Sequence, residues 1–205
     1  MIENRTHWEK IYRTKKPDAV SWFQPSLRLS LVLIRASGVA KSAAIIDVGA
    51  GASTLVDDLL TEGYSNLTIL DISSEALSVA RQRLGERSKS VKWIVSDITE
   101  LDPSFRGYEV WHDRAVFHFL TAEADRRKYC EVMERSVCSG GFIIMATFGP
   151  NGPTKCSGLN TVRYSPESLS ETLGNRYQLI SARTESHVTP GKVTQEFAYS
   201  LFRKQ

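Results

Sequence analysis

The stretch IIDVGAGASTL, residues 45–55, changes character twice over a short distance. It opens with an apolar run typical of a strand buried on both faces of a parallel sheet. Gly49 and Gly51 follow, and a residue without a side chain lets a ligand come close to the backbone. Ser53 suits the start of a helix over 54–62. The stretch therefore predicts a buried strand, a glycine turn that contacts a ligand, and a helix.

A second strand that ends in an acid follows at LTILDIS, residues 67–73. Asp71 lies 20 residues beyond Gly51. At that separation an acid in a nucleotide-binding domain accepts hydrogen bonds from ribose hydroxyls, so the pair predicts a cofactor that carries a nucleoside. The alternative is an ordinary glycine turn in which Asp47 and Asp71 only cap neighbouring backbone.

The glycine turn departs from the dinucleotide-binding fingerprint at two positions. Thr54 stands where that fingerprint has its third glycine, and Asp47 directly precedes the turn region. A carboxylate at this point repels a pyrophosphate, whereas it attracts a cofactor with a positively charged amino-acid end. A nicotinamide-dependent oxidoreductase is therefore the less favoured class.

Strands and helices alternate along most of the chain, which is typical of a parallel sheet with helices on both faces. The last two strands have no helix between them, so we expect them to pair antiparallel at the sheet edge. The expected fold class is α/β, with a doubly wound, mostly parallel seven-stranded sheet and an antiparallel edge strand. The predicted strands are 43–49, 66–72, 91–97, 108–113, 142–148, 177–185 and 195–203, and the predicted helices are 4–13, 26–37, 54–62, 73–84, 122–138 and 166–174.

The composition narrows the class of protein. The 205 residues carry a formal net charge of +3 without a dense Lys/Arg stripe, which makes a nucleic acid an unlikely partner. The three cysteines show no metal-ligand spacing, so we expect no metal and a reducing, cytoplasmic setting. The polar first residues, MIENRTHWEK, lack a signal-peptide core, and no apolar run has membrane-spanning length.

Four short motifs make the sequence resemble the class I S-adenosylmethionine-dependent methyltransferases, which have a Rossmann-like fold. DVGAG at 47–51 corresponds to their first motif, and Asp71 to the acid that holds the ribose. SDI at 96–98 and SGG at 139–141 correspond to the adenine segment and to the turn before the fifth strand, with Ser in place of the usual Pro. The resemblance spans about residues 40–203.

The resemblance implies S-adenosylmethionine as cofactor and S-adenosylhomocysteine as product. It also implies an N-terminal helical lid over residues 1–38, which precedes a cofactor-binding domain over 39–205, and we expect Trp22 or Phe23 of that lid to cover the cofactor. The implied cofactor-binding residues are Asp47, Gly49, Ala50, Gly51, Asp71, Ile72, Asp97, Ile98 and Asp113, together with Trp22.

The segment VWHDRAVFHFL, residues 110–120, places charged groups at the end of the fourth strand, where ligands bind in this kind of sheet. We expect Asp113 to bind the amino-acid end of the cofactor or to orient an acceptor amine. His118 is the candidate general base, because imidazole titrates near neutrality. The alternatives are that His118 is simply a hydrogen-bonded or capping histidine and that Arg114 only pairs with an acid. His112 is interpreted as structural.

The loop FGPNGPTKCSGLNTVRY, residues 148–164, lies over the predicted cleft. Arg163 and Lys155 are candidate ligands of an anionic acceptor, unless the loop is only a solvated connector, and Cys156 is interpreted as inert. The Asn/Asp-Pro-Pro-aromatic motif of amino-group DNA methyltransferases is absent after the fourth strand. We therefore expect a methyltransferase whose acceptor is a small molecule. The alternatives are a protein-lysine methyltransferase and a non-catalytic cofactor-binding protein.

Overall fold

The computed structural model describes residues 2–205, and it contains a seven-stranded sheet in the order β3-β2-β1-β4-β5-β9-β8. The first five strands are parallel, whereas β9 runs antiparallel to both β5 and β8, so the antiparallel pair forms the edge as expected. The expected fold class is confirmed. The strands are β1 (Ala44–Val48), β2 (Asn66–Asp71), β3 (Val91–Val95), β4 (Tyr108–Arg114), β5 (Val137–Phe148), β8 (Tyr177–Val188) and β9 (Thr194–Lys204), while β6 (Lys155–Cys156) and β7 (Leu159–Asn160) form a separate small hairpin.

Helices cover both faces of the sheet, because the strands alternate their apolar side chains between two cores. Ile45 and Val110 belong to the core that also holds α2 and α3, whereas Ile46 and Trp111 belong to the core that holds α5 and α6. The helices are α1 (Ile2–Thr14), α2 (Arg28–Ala36), α3 (Leu55–Thr61), α4 (Ser74–Leu84), α5 (Glu123–Ser136) and α6 (Pro166–Leu173).

Strand β5 begins five residues before the predicted start at 142, and helix α5 correspondingly ends at Ser136. The pairing with β4 shifts register between Tyr108 and Val110, which accommodates the extra residues as an irregularity in the strand. Gly141 lies in this crowded part, since a Cβ there would be 2.8 Å from Val137 Cγ1. The predicted helix over 122–138 extends two residues into this strand, because Gly140 and Gly141 are typical of the end of a helix.

The N-terminal segment is attached to the sheet domain in two different ways. Helix α1 packs on α4, where Glu9 accepts hydrogen bonds from Ser73 Oγ, the Ser74 and Glu75 backbone N–H groups and Ser74 Oγ at 2.8–3.1 Å. Helix α2 is part of the core itself, with Leu33 and Ile34 fully buried. A division of the chain at residue 38 into lid and domain remains a prediction.

Two features are absent from the described part of the chain. None of the helices within residues 2–205 has the length and apolar character needed to cross a membrane. The same part of the chain holds no group of three or more His, Cys, Asp or Glu side chains arranged to bind a metal ion.

Candidate functional site: a cleft at the carboxyl ends of the strands

A cleft opens where β1, β2, β3 and β4 end, and it encloses about 910 Å³, part of which is open to solvent. Parallel sheets place ligands at this edge. A second pocket adjoins it and shares four residues with it, Tyr12, Trp22, Gly49 and Arg114. The first cleft is lined by Trp8, Tyr12, Trp22, Val48, Gly49, Leu70, Asp71, Ile72, Ser96, Asp97, Ile98, Arg114, Ala115, Val116, Phe119, Leu120, Phe148, Cys156 and Phe197.

The glycine turn lies between these two spaces and has no room for side chains. Gly49 has φ +61°, and a Cβ there would be 1.9 Å from Val116 Cγ2. Gly51 has φ +57°, and a Cβ there would be 2.1 Å from the Tyr12 hydroxyl oxygen. Both positions therefore require glycine for conformation and for space. Helix α3 begins at Leu55 with Thr54 in the capping position, although Ser53 Oγ does accept from the Leu55 N–H.

Asp71 is buried at the end of β2 and holds the turn in place. One carboxylate oxygen accepts from the Gly51 N–H and the other from the Ser73 N–H, both at 2.8 Å. Burial raises the pKa of Asp71 to about 6, and the nearby Asp47 and Glu9 contribute to the increase, while the two backbone N–H groups oppose it. A carboxylate has about four lone-pair positions, so acceptor capacity remains for ribose hydroxyls.

Asp97 and Ile98 line the cleft directly after β3, beside Ile72. Asp97 Oδ1 accepts from the backbone N–H and the hydroxyl of Thr99, which fixes the carboxylate at the cleft wall. The structure thus brings Asp71, Ile72, Asp97 and Ile98 together at one end of the cleft, which we call the adenosine end. The acceptor end is the opposite part, lined by Trp8, Trp22, Arg114, Phe119, Phe148, Cys156 and Phe197.

Asp47 lies in the adjoining pocket together with Gly49 and Ala50. Its Oδ1 is 2.7 Å from His112 Nδ1, and His112 Nε2 is 2.8 Å from Ser30 Oγ. All three side chains are buried. His112, interpreted from the sequence as structural, therefore orients the carboxylate of Asp47 and connects it to helix α2.

Asp113 occupies a different place from the one expected. It is fully buried and lies outside both cleft linings, because its side chain turns back under the loop that follows β4. Its oxygens accept from the backbone N–H groups of Val116 and Phe117 and from the Tyr129 hydroxyl at 2.5 Å. Burial raises the pKa of Asp113 to about 6. The geometry makes Asp113 a support for the cleft floor rather than a group that touches a ligand.

His118 is also fully buried and outside the cleft linings. Its ring packs against Phe119 and Phe148, with centroids 4.5 Å away in each case. Nδ1 accepts from the Phe148 N–H, whereas Nε2 has no hydrogen-bond partner. Burial, with a smaller contribution from the charge of Arg114, lowers the pKa of His118 to about 3. A direct part of His118 in proton transfer stays a prediction, with the ring neutral near pH 7.

The acceptor end contains groups that sequence reasoning did not single out. Trp8 lies edge-on to Trp22, with ring centroids 5.6 Å apart, and edge-on to Phe119 at 5.2 Å. Arg114 lines the cleft with its guanidinium 4.5 Å from the centre of the Phe197 ring. The HWEKIY segment at 7–12 was the available signal, since two of its aromatic residues line the cleft. Trp22 lines both spaces and Phe23 the smaller one.

The loop after β5 contributes a different residue from those expected. Cys156 lines the cleft, and burial raises the pKa of its thiol. Lys155 and Arg163 are both exposed and line neither space, and Arg163 donates to the Pro150 carbonyl. The structure therefore does not bring these two cations to the acceptor end.

The residues present fit S-adenosylmethionine. The turn at Gly49 and Gly51 has no room for a Cβ, since Val116 and Tyr12 pack against it, and a buried carboxylate with spare acceptor capacity stands beside it at Asp71. A second carboxylate, Asp47, meets the turn from the other side, where a positively charged amino-acid end would lie. Fold and site together are those of the class I S-adenosylmethionine-dependent methyltransferases.

The comparisons with known proteins agree with this class. Residues 45–141 match the family model described as a methyltransferase domain. The chain is 26% identical over 186 residues to the zebrafish (Danio rerio) EEF1A lysine methyltransferase 2. The aligned region covers 90% of this chain and 76% of that protein. S-adenosylmethionine is thus the cofactor, and the chain is an enzyme of methyl transfer.

Two solved structures share the fold. One, reported for the conversion of a disulfide bond into a thioacetal group during echinomycin biosynthesis, has a TM-score of 0.77 and 19% identity, with 98% of this chain and 92% of the other covered. The other is the Burkholderia thailandensis 1,6-didemethyltoxoflavin-N1-methyltransferase with its substrate and S-adenosylhomocysteine bound, at a TM-score of 0.74 and 19% identity, with 98% and 87% covered.

Proposed function

We propose that the chain transfers the methyl group of S-adenosylmethionine to a small molecule that stacks between the aromatic side chains of the acceptor end. The observation that carries this proposal is the composition of that end. Its lining is mostly aromatic and includes Trp8 and Trp22 of the N-terminal segment, and its one formal charge among the described lining residues is the cation of Arg114. A flat, neutral or anionic acceptor fits these surroundings.

In this proposal Asp71, Ile72, Asp97 and Ile98 hold the adenosine. Gly49, Ala50 and Gly51 let the cofactor approach the backbone. Asp47, held by His112, pairs with the ammonium group of the methionyl end, and Trp22 covers the cofactor. Trp8, Phe119 and Phe197 hold the acceptor and exclude water.

The chemical demand on the protein is modest. The bound cofactor supplies a sulfonium methyl group that is already electrophilic, so the chain has mainly to align the acceptor atom with it. Asp113 serves this alignment indirectly, since it holds the N–H groups of Val116 and Phe117 and thereby fixes the cleft floor. Such an arrangement suits an acceptor atom that carries a lone pair at neutral pH.

Protein-lysine methylation is the second candidate function, and the similarity to the zebrafish lysine methyltransferase favours it. A lysine side chain arrives as an ammonium ion and gains from a nearby carboxylate. Among the described residues that line the cleft, the carboxylates are Asp71 and Asp97, both at the adenosine end. The acceptor end has no carboxylate among its described lining residues, so an incoming ammonium ion would find no counter-charge there.

The test is to incubate the purified protein with methyl-labelled S-adenosylmethionine and a cell extract, and then to separate small molecules, proteins and nucleic acids. We expect label in the small-molecule fraction. The Asp71→Ala variant should lose this label, because the ribose acid is gone. Glu171→Gln, which removes an exposed carboxylate on α6, is the matched control and should label as the wild type does.

Label confined to the protein fraction, and lost in Asp71→Ala, would overturn the small-molecule acceptor in favour of the lysine alternative. No label in any fraction, together with tight binding of S-adenosylhomocysteine, would favour a non-catalytic binding protein. Equal labelling by the wild type and Asp71→Ala would contradict the assigned place of the ribose.

A further inference from the structure

Arg114 is a buried cation at the junction of the cleft and the adjoining pocket, and its side chain is only 6% exposed. Its Nε donates to the Tyr199 hydroxyl at 2.9 Å, and Nη1 donates to the Trp22 carbonyl at 3.0 Å. These two bonds fix the guanidinium plane. They also tie the segment that carries Trp22 to the end of β4.

The remaining nitrogen, Nη2, is buried and has no hydrogen-bond partner. Glu185 Oε2 is 3.7 Å away, which is an ion pair without a hydrogen bond. That carboxylate oxygen already accepts from Gln24 Nε2 at 2.9 Å and from the Tyr199 hydroxyl at 3.2 Å. A buried N–H group left unpaired is costly, and a charged donor of this kind binds best to an anion.

The charged groups near Arg114 indicate which kind of ligand fits beside it. Side chains two residues apart on a strand lie on the same face, so Arg114 shares a face with His112, which contacts Asp47. The lining of the adjoining pocket therefore contains a carboxylate, Asp47, and a cation, Arg114, together with Gly49 and Ala50. An α-amino acid carries the complementary pair of charges, an ammonium group and a carboxylate.

We propose that Arg114 Nη2 binds the α-carboxylate of the methionyl end of S-adenosylmethionine. This inference rests on the methyltransferase assignment and deepens it, since it gives the cationic partner of the cofactor. Arg114 is then a binding residue for the cofactor and, through Nη1, a positioning residue for Trp22. The cation that faces the acceptor end is neutralised when the cofactor is bound, so the acceptor meets an aromatic and uncharged surface.

The test measures binding by calorimetry, without turnover, for three ligands. S-adenosylhomocysteine carries the carboxylate, decarboxylated S-adenosylmethionine differs from S-adenosylmethionine only in lacking the carboxylate, and 5′-methylthioadenosine lacks the whole amino-acid end. We expect Arg114→Gln to lower the affinity for S-adenosylhomocysteine by about 30-fold or more. The affinity for each of the other two ligands should fall by less than about threefold. Arg183→Gln, which removes an exposed cation from β8, is the matched control and should change none of the three affinities.

Equal losses for all three ligands in Arg114→Gln would overturn the inference, because the residue would then act only as an anchor of the Trp22 segment. Unchanged affinities would overturn it as well. If Arg114→Gln does not fold, the wild type alone decides, since it must bind S-adenosylmethionine at least tenfold more tightly than the decarboxylated form. A wild type that binds none of the ligands would instead overturn the methyltransferase assignment.

Discussion

The two ends of the cleft are built in different ways. The adenosine end comes from consecutive strand ends, with Gly49 after β1, Asp71 at the end of β2 and Asp97 after β3. The acceptor end combines Trp8 from α1 and Phe197 from β9 with residues in between. A site made from consecutive strand ends leaves a regular spacing in the sequence, whereas a site made from distant segments leaves none. The first end carries the motifs of the enzyme class, and in our proposal the second selects the acceptor.

The largest expected effect comes from adding a side chain at Gly49, beside the adenosine end. Gly49→Ala places a methyl group against Val116 at 1.9 Å, so we expect affinity for S-adenosylhomocysteine to fall at least ~100-fold. The control is Gly63→Ala, since Gly63 also has a positive φ, of +87°, but has open space around it. Calorimetry on both variants separates steric blockage from backbone strain. Equal losses of affinity in the two variants would show that the close contact with Val116 is not the cause.

The next effect concerns the floor that lies between the two ends. The Tyr129 hydroxyl donates to Asp113 and accepts from Trp111 Nε1 at 2.9 Å, with all three residues buried. Tyr129→Phe leaves the Trp111 N–H without its acceptor and removes one of the three donors to Asp113, so we expect the free energy of unfolding to fall by about 2 kcal/mol. Denaturant unfolding measures it.

Tyr177→Phe is the matched comparison for that variant, because the Tyr177 hydroxyl donates to the partly exposed Glu134 and should contribute less than ~1 kcal/mol. Binding of S-adenosylhomocysteine to Tyr129→Phe should stay within about threefold of the wild type, since Asp113 keeps its two backbone donors. A loss of binding with unchanged stability would instead make Asp113 a ligand-contacting group.

A smaller effect depends on pH and concerns His118, below the acceptor end. The pKa of His118 is about 3 in the folded chain and about 6.5 in an unfolded one, so the unfolded state takes up the proton first as the pH falls. His118 therefore contributes stability that is present above pH ~6.5 and is lost toward pH ~3, and the loss is about 1.4 kcal/mol at pH ~5.5.

His118→Asn removes the titration and keeps an acceptor for the Phe148 N–H. The change in unfolding free energy between pH ~7.5 and pH ~5.5 should therefore differ between wild type and variant by about 1.4 kcal/mol. Denaturant unfolding at both pH values measures that difference, and the subtraction cancels the opposite effects of Asp71 and Asp113. Parallel pH dependences would mean that the ring already takes up protons in the folded state.

The smallest effect is expected at Cys156. Its thiol lines the acceptor end and lies 4.0 Å from Ser21 Oγ. Cys156→Ala should leave affinity for S-adenosylhomocysteine within about twofold, and Cys138→Ala, remote from the cleft lining, should do the same. A tenfold loss of affinity in Cys156→Ala alone would show that Cys156 contacts the cofactor and does not belong to the acceptor end.

Sequence reasoning succeeded where local patterns coincide with the fold. The apolar run before Gly49 and the acid at Asp71 predict the first two strands and their shared edge, and the lack of a helix before β9 predicts the antiparallel pair. It failed for Asp113, because the rule that strand ends face the cleft does not say on which face a side chain lies. Arg114, the next residue, lies on the face toward the cleft.

Other parts of the site depend on contacts between residues far apart in the chain. The neighbours of Arg114 are Trp22, Glu185 and Tyr199, which only the folded sheet brings together. Lys155 and Arg163 were expected at the cleft because of their charge, yet exposure to water is the ordinary state of such side chains on a loop. The buried Cys156 of the same loop reaches the cleft instead.

Glu9 of α1 lies at the start of α4, and its carboxylate affects which nucleotides can bind in the cleft. Ser73 links it to the ribose acid, since its N–H donates to Asp71 and its hydroxyl to Glu9. Two carboxylates thus lie one serine apart, Asp71 in the cleft lining and Glu9 outside it. An unphosphorylated adenosine would meet an acceptor for its hydroxyls at Asp71, whereas a phosphate at the 2′ or 3′ oxygen would meet repulsion from both charges. With the ribose held at Asp71 as proposed, this pair of carboxylates would discriminate against adenosine phosphates of that kind.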